Sequence, residues 1–359
     1  MELEVFKKVN GKDYDQLAVV DQFKSLVVNR RFYEANDFEL IVALNRSTLE
    51  WFKVGNSVRI GDTFYYINLS HVPDLTSGEL LVKGVSFFGL LNNRIIWENY
   101  NRQDRPEVIM RDLLDRHAVN PTDTKRKLHQ VTIAPEVDLG TSIVRVQTSY
   151  TNLRERVEKL AETHEIGFKE GITDYFVPGS HIRFYKGRDL SSVVEFTTDA
   201  ENVLNESFEQ SDFDERNIAL VSGEGEGEAR QRTTAGDVSL GGLDRRELHV
   251  DARDLQKETD TKTYTNAEYE EMLVERGRSK LSEHQPILLL EGDINVQNQL
   301  YEYGVDYDLG DTVRRSSPTF GLSYNAQITE IQEIYEDGLH IIPTFGKRSP
   351  TIIDLLKRT

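Results

Sequence analysis

Short apolar runs of strand length recur through residues 1–100: Leu17-Ala18-Val19-Val20, Leu26-Val27-Val28, Leu40-Ile41-Val42, Val58-Arg59-Ile60, Phe64-Tyr65-Tyr66-Ile67 and Leu80-Leu81-Val82. β-Branched and aromatic side chains dominate them, as a half-buried pleated surface requires. Gly61-Asp62 separates two of the runs and predicts a tight hairpin, because glycine takes positive φ at the first turn position. Ser77-Gly78 predicts the turn before Leu80.

The period then changes. Over residues 104–120, Ile109, Leu113, Leu114 and His117 share one helical face, and Pro106 suits a first turn. Over 151–166, Leu153, Val157, Leu160 and Ala161 follow helical spacing, with Gly167 as the stop. Strands are expected at 142–146 and 181–185. A third helix is expected over 266–283, with Thr265 and Glu268 at capping-box spacing and Tyr269, Met272 and Leu273 facing a core. Residues 222–242 are rich in Gly, Glu, Arg and Thr and read as an exposed loop or mobile hairpin. A short apolar tail, Ile352-Ile353-Asp354-Leu355-Leu356, comes last.

Parts of the chain echo one another in order. Phe32-Tyr33-Glu34-Ala35-Asn36-Asp37-Phe38, leading to Leu40-Ile41-Val42, is matched by Phe208-Glu209-Gln210-Ser211-Asp212-Phe213, leading to Ile218-Ala219-Leu220-Val221. Val54-Gly55-Asn56-Ser57-Val58-Arg59 is matched by Leu309-Gly310-Asp311-Thr312-Val313-Arg314, and the turn at Gly78 by Asp337-Gly338. The pattern predicts one β-domain used twice, with residues inserted in the second copy. The fold class expected is α+β, mainly β, with two similar β-barrel domains and smaller α+β insertions. The expected division is 1–100 (first barrel), 101–190 (inserted α+β domain), 191–260 (first part of the second barrel, with the exposed loop 222–242), 261–286 (helical insertion), 287–348 (rest of the second barrel) and 349–359 (tail). Three copies of such a chain present six similar units, enough to dock onto a six-fold ring.

Composition narrows the function. The 359 residues carry a formal net charge of −18. Nucleic-acid binding over a broad surface and stable binding to an anionic membrane both need the opposite sign. There is no cysteine, which excludes disulfides, zinc–thiolate sites and a thiol nucleophile. No apolar run approaches the ~18 residues of a membrane span. The N-terminus lacks the basic-then-apolar pattern of a secretory signal, so none is expected.

Each chemical motif has a bland reading that fits better. Gly223-Glu224-Gly225-Glu226-Gly227-Glu228-Ala229-Arg230 lacks the following helix of a phosphate loop, and its glutamates repel phosphate. The histidines, His71, His117, His129, His164, His181, His249, His284 and His340, have no metal-site spacing. Asp306-Tyr307-Asp308-Leu309-Gly310-Asp311 departs from a calcium loop and reads as turn chemistry. Residues 241–255 alternate in charge and read as a strand flanked by ion pairs. No G-x-S-x-G elbow occurs. Carboxylate pairs of the kind glycosidases use are not legible, because they meet only in the fold. No catalytic, cofactor-binding or metal-binding residue is assigned.

Four segments carry a resemblance that spans the chain. They are Val20-Asp21-Gln22-Phe23 with Arg30 through Leu40; Val221 through Gly227 with Arg230; Gly242 through Glu247 with Asp251-Ala252-Arg253-Asp254; and Asp306 through Asp311 with 326–331 and Pro343-Thr344-Phe345-Gly346. In them the chain resembles the baseplate hub or tail-associated proteins of long-tailed bacteriophages, especially the short form of siphophages and prophages of Gram-positive hosts. The resemblance implies a non-enzymatic homotrimer forming a pseudo-six-fold ring that continues and closes the tail tube and lets DNA pass on infection. It implies as partners a distal tail protein or tail tube ring, the C-terminus of the tape measure protein, and tail fibre or receptor-binding proteins. DNA would cross the channel without specific binding, and an acidic lumen would keep it from sticking. The location implied is the virion tail tip, after assembly in the bacterial cytoplasm. Longer relatives carry a hydrolase after the hub; here only residues 347–359 follow Gly346. A tail-associated cell-wall hydrolase and a receptor- or glycan-binding tail module are the alternatives. The 16 Phe, 15 Tyr and 2 Trp would suffice for a sugar platform, but most lie in strand patterns that favour cores.

Overall fold

A computed structural model describes residues 1–258, 263–295 and 300–346; the tail expected at 349–359 lies outside the described residues. The first part contains β1 (Leu3–Lys8), β2 (Tyr14–Val20), β3 (Ser25–Arg31), β4 (Asp37–Ala43), α1 (Arg46–Trp51), β5 (Ser57–Ile60), β6 (Thr63–His71) and β7 (Glu79–Ser86). There follow β8 (Tyr100–Asp104), α2 (Pro106–Leu114), β9 (Val131–Ile133), β10 (Val144–Thr148), α3 (Leu153–Thr163), β11 (Gly167–Gly171) and β12 (Ser180–Tyr185). The remainder contains β13 (Glu195–Phe196), β14 (Val203–Ser211), β15 (Ile218–Ser222), β16 (Arg232–Gly236), β17 (Glu247–Asp251), α4 (Asn266–Leu281), β18 (Ile287–Ile294), β19 (Thr312–Ser317), β20 (Leu322–Tyr335) and β21 (Leu339–Phe345).

A 13-stranded sheet runs β14-β18-β21-β20-β3-β4-β7-β6-β5-β1-β2, with β19 joined to β20 and β13 joined to β19. The expected pair of β-barrel domains is therefore wrong: among the described residues no sheet closes, and strands from both halves share one open sheet. The cause is the antiparallel pairing of β3 with β20, from Arg31↔Glu330 to Leu26↔Tyr335. Each of those edges is spent joining the halves, so neither is left to close its own half.

Within that sheet one strand order occurs twice. The paths β3-β4-β7-β6-β5 and β14-β18-β21-β20-β19 are antiparallel at every step. Their details match as well. Gly55 (φ +98°) and Gly310 (φ +91°) precede β5 and β19. The Gly55 N–H donates to the Ile67 carbonyl at 3.0 Å, and the Gly310 N–H to that of Ile328 at 2.7 Å. Register shifts follow at Ile67/Leu69 and at Ile328/Glu330. The sequence echo at 54–59 and 309–314 falls on these corresponding positions. The echo at 32–38 and 208–213 does not, because β15 lies in a separate three-stranded sheet, β16-β15-β17, and β18 is the counterpart of β4.

Strand alternation buries Leu26, Val28, Phe38, Leu40, Val42, Leu80 and Val82 in one core with Leu3, Val5 and Tyr65. A second core joins Phe64, Phe87 and Phe88 to the apolar faces of α2 and α3 and to Ile182 of the β11-β12-β9 sheet. The α3 stripe is the one expected, Leu153, Val157, Leu160 and Ala161. A third core fills the second half around Phe32, Phe196, Tyr307, Val313 and Ile328. A fourth packs Tyr269, Met272 and Leu273 of α4 onto Ala219, Val221 and Ala235. The Thr265 and Glu268 capping box forms in both directions.

Candidate assembly surface

The seam between β3 and β20 is built from two rows of polar side chains. On its core side Arg30 donates from Nε to Glu333 Oε1 at 2.6 Å and from Nη1 to Asp62 Oδ1 and Thr63 Oγ1, both at 3.2 Å. Tyr335 Oη donates to the other Glu333 oxygen at 3.0 Å. Burial works against the Arg30 charge, but Tyr65, Glu333 and Asp62 outweigh it and raise its pKa above the ordinary arginine value. Burial opposes the charge of Arg31 too, and Glu330 and Asp37 reverse the effect.

On the outer side alternation brings up Asn29 and Arg31 of β3, Asp37 and Glu39 of β4, Lys83 of β7, and Glu330 and Gln332 of β20. Gln332 Nε2 donates to Asn29 Oδ1 at 2.9 Å, and Asn29 Nδ2 donates to Asp37 Oδ1 at 2.7 Å. Arg31 reaches Glu330 at 3.3 Å and also pairs with Asp37; Lys83 meets Glu39 at 2.5 Å. A groove of about 670 Å³ lies on this face, bordered by Val27, Asn29, Glu39, Asn68, Leu69 and Gln332. Each of its carboxylates has a basic partner, Asp37 and Glu330 sharing Arg31 and Glu39 meeting Lys83, so little of the chain's acidic excess is gathered here.

Phe32, the residue after β3, locks three units together. Its ring is fully buried and meets Tyr33 and Tyr185 edge-on at 4.7 and 5.2 Å. A Cβ at Gly167 or Gly310 would stand 2.0 or 2.2 Å from that ring, so both positions need glycine for space. The Phe32 N–H donates to the Thr329 carbonyl at 3.0 Å, and the Phe32 carbonyl accepts from Phe168 at 3.1 Å. Tyr185 Oη donates to the Leu309 carbonyl at 2.7 Å.

The motifs singled out in the sequence serve local structure. In the Gly/Glu loop Arg230 donates to the carbonyls of Ser222 and Gly223, each at 2.8 Å, and a short 3-10 turn at 227–229 stands where a phosphate loop would begin a helix. Residues 232–236 of the expected loop form β16. His164 meets Glu275 at 2.9 Å and His284 meets Asp214 at 3.1 Å. His117 is buried without a hydrogen-bond partner on either ring nitrogen, and burial depresses its pKa. In the acidic cluster Asp308 pairs with Lys169, Asp311 with Arg188 at 2.6 Å, and Asp306 accepts the Glu302 N–H at 2.8 Å. Residues 241–255 contain β17, flanked by Arg245–Glu247 and Arg253–Asp251 pairs at 2.7 Å. Among the described residues no group of three or more His, Asp or Glu is placed to hold a metal ion, and no helix is long and apolar enough to cross a membrane. Sequence reasoning missed the seam. Its one available signal was the pair of basic residues Arg30-Arg31 and the glutamates Glu330 and Glu333 in separate strands.

A family model described as "Siphovirus ReqiPepy6 Gp37-like protein" matches residues 2–347. Among curated protein sequences nothing matches. Several solved structures share the fold. The prophage tail protein gp18 from Listeria monocytogenes EGD-e aligns with a TM-score of 0.56 at 13% identity, covering 99% of this chain and 98% of that one. The 43 kDa tail protein of prophage MuSo2 from Shewanella oneidensis aligns at 0.56 and 13%, covering 96% of each chain. The tail protein from Neisseria meningitidis MC58 aligns at 0.54 and 12%, again covering 96% of each.

Proposed function

The chain belongs to the Siphovirus ReqiPepy6 Gp37-like protein family, and from that premise we propose that it is a non-enzymatic structural subunit of a phage tail tip or baseplate. Its likeness to prophage tail proteins from Listeria monocytogenes and Shewanella oneidensis supports a tail role. In this reading three copies form a ring of six similar units, at the end of the tail tube in the virion, through which DNA passes. The repeated strand order is the observation that carries the ring, since a chain with two similar units can match six-fold partners with three copies. The paired charges and amides of the groove face, with one carboxylate in excess, suit a surface that polyanions pass without being held. Neighbours of the classes expected from the sequence, a tube or distal tail ring, the tape measure C-terminus and fibre or receptor-binding proteins, would then contact the ring.

Mass measurement of the full chain in solution, with ring symmetry counted in particle images, tests this. The expected result is a three-chain ring. Release of fragments from purified peptidoglycan by the same protein would instead favour the hydrolase alternative.

A further inference from the structure

The two strand paths correspond residue by residue. Ile67 stands where Ile328 stands, and the ladders carry the match outward. Gly84 corresponds to Phe345, Phe38 to the residue at 290, and Val28 to Phe208. Therefore β14 is the counterpart of β3, and the end of β6 is the counterpart of the β20 segment that β3 covers. Only one of the two equivalent junctions is made within the chain. β3 lies on β20. Among the described residues β14 ends the sheet with only β18 beside it, and β6 beyond Ile67 pairs only with β7.

We propose that the β14 edge of one copy pairs antiparallel with residues 69–72 of β6 in a second copy, in the register of the β3–β20 seam. This rests on the ring reading given above and names its interface. Carrying over Arg31↔Glu330, Arg30↔Ile331 and Asn29↔Gln332 sets Ser211 opposite Leu69, Gln210 opposite Ser70, and Glu209 opposite His71. Phe208 then faces Val72. The exposure pattern agrees. Residues 207–210 are exposed on both faces of β14, whereas Leu26 and Val28 of β3 are fully buried. Leu69 and Phe208, 39% and 36% exposed, are apolar side chains that the junction would cover. Glu209 opposite His71 takes the place of the Asn29–Gln332 amide pair and sets a carboxylate facing an imidazole that can donate to it. The contact is heterologous, each copy giving β14 and receiving on β6. Because the junction inside the chain has the same geometry, alternating the two junctions turns every unit by the same step, which is what a ring of six equivalent units requires. An open edge strand is otherwise a template for uncontrolled pairing, and closure removes it.

The absence of cysteine makes the test direct. Ser70→Cys and Gln210→Cys are made singly and together, and His71→Cys with Glu209→Cys serves as a second pair, since neighbouring ladder positions alternate between closer and wider spacing. Circular dichroism of each variant checks the fold. Under mild oxidation a mixture of the two single variants should give linked dimers, each single variant alone should stay unlinked, and a double variant should give a covalently closed three-chain ring. Linking of like sites, or none at either pair, overturns the assignment. A three-chain mass without links at either pair removes this interface and leaves the ring; a monomer at all concentrations removes both.

Discussion

Asn56 and Asp311 do the same work in the two halves of the chain. Each follows a left-handed glycine, each is almost fully buried, and each accepts a backbone N–H from the segment that runs beside the strand it opens. Asn56 Oδ1 takes the Lys8 N–H at 3.1 Å, and Asp311 Oδ1 takes that of Arg188 at 2.7 Å. Their carbonyls accept in parallel from Ile67 and Ile328, both at 2.9 Å. Asp311 adds the Asp308 N–H at 2.9 Å and the Arg188 guanidinium. Replacing Asp311 by Ala strands buried donors, and the expected loss is about 2–3 kcal/mol. Asp311→Asn, the side chain of the first half, keeps the Oδ1 acceptor and should cost about 1 kcal/mol. Urea midpoints at constant m check both values.

The glycines at the two kinds of turn should respond differently. Gly310→Ala sets a Cβ 2.2 Å from the Phe32 ring at φ +91°, and both the ring and the backbone must move. Gly338→Ala meets nothing within 4 Å and carries only the positive-φ penalty. The expected losses are above ~3 kcal/mol for the first and about 1 kcal/mol for the second. Equal losses in a denaturant series would remove Phe32 as the lock between the halves.

What could be read from the sequence was local. Capping by Thr265 and Glu268, the α3 stripe from Leu153 to Ala161, and the Gly61 hairpin (φ +59°) each depend on residues a few positions apart. The Gly55 and Gly310 echo was visible because a left-handed turn before a strand restricts residue choice. The counterpart of β4 in the second half was misread because residues 212–286 separate β14 from β18, and the apolar run at 218–221 stands nearer. Barrel closure was misread because it turns on which edges meet. Arg30 and Glu333 are 303 positions apart, and no local period reports their pairing. The candidate surface was illegible for the same reason, being composed of opposed strands from the two ends of the chain.

The buried ion pair of that seam gives a further prediction. Glu333 is 5% exposed and balances Arg30, which also holds Asp62. Glu333→Ala leaves a largely buried guanidinium with exposed Asp62 as its carboxylate and the Thr63 hydroxyl, and the expected cost is about 3 kcal/mol. Truncating Glu247, an exposed partner of Arg245, should leave the unfolding midpoint unchanged within error. A small effect at Glu333 would mean that this ion pair is not what holds the halves together.

Glu158 on α3 supplies the pH dependence. Its Oε1 accepts the Ala35 N–H at 3.0 Å, and burial pushes its carboxyl from 4.5 up to about 7. Arg154, 3.7 Å away, only partly offsets that burial. A carboxyl whose pKa is higher folded than unfolded binds its proton more tightly in the native state. Its contribution is therefore complete below about pH 4.5 and is lost as pH rises through about 7, a change on the order of 3 kcal/mol. Glu158→Gln keeps the acceptor for Ala35 and cannot ionise. The variant should match the parent below about pH 4.5, gain on it steadily up to about pH 7, and keep that full advantage unchanged at higher pH. Because every other titrating group is common to both proteins, the difference between their two pH–stability curves isolates this carboxyl, and a flat difference would mean that Glu158 is solvated as a charged group in the folded chain.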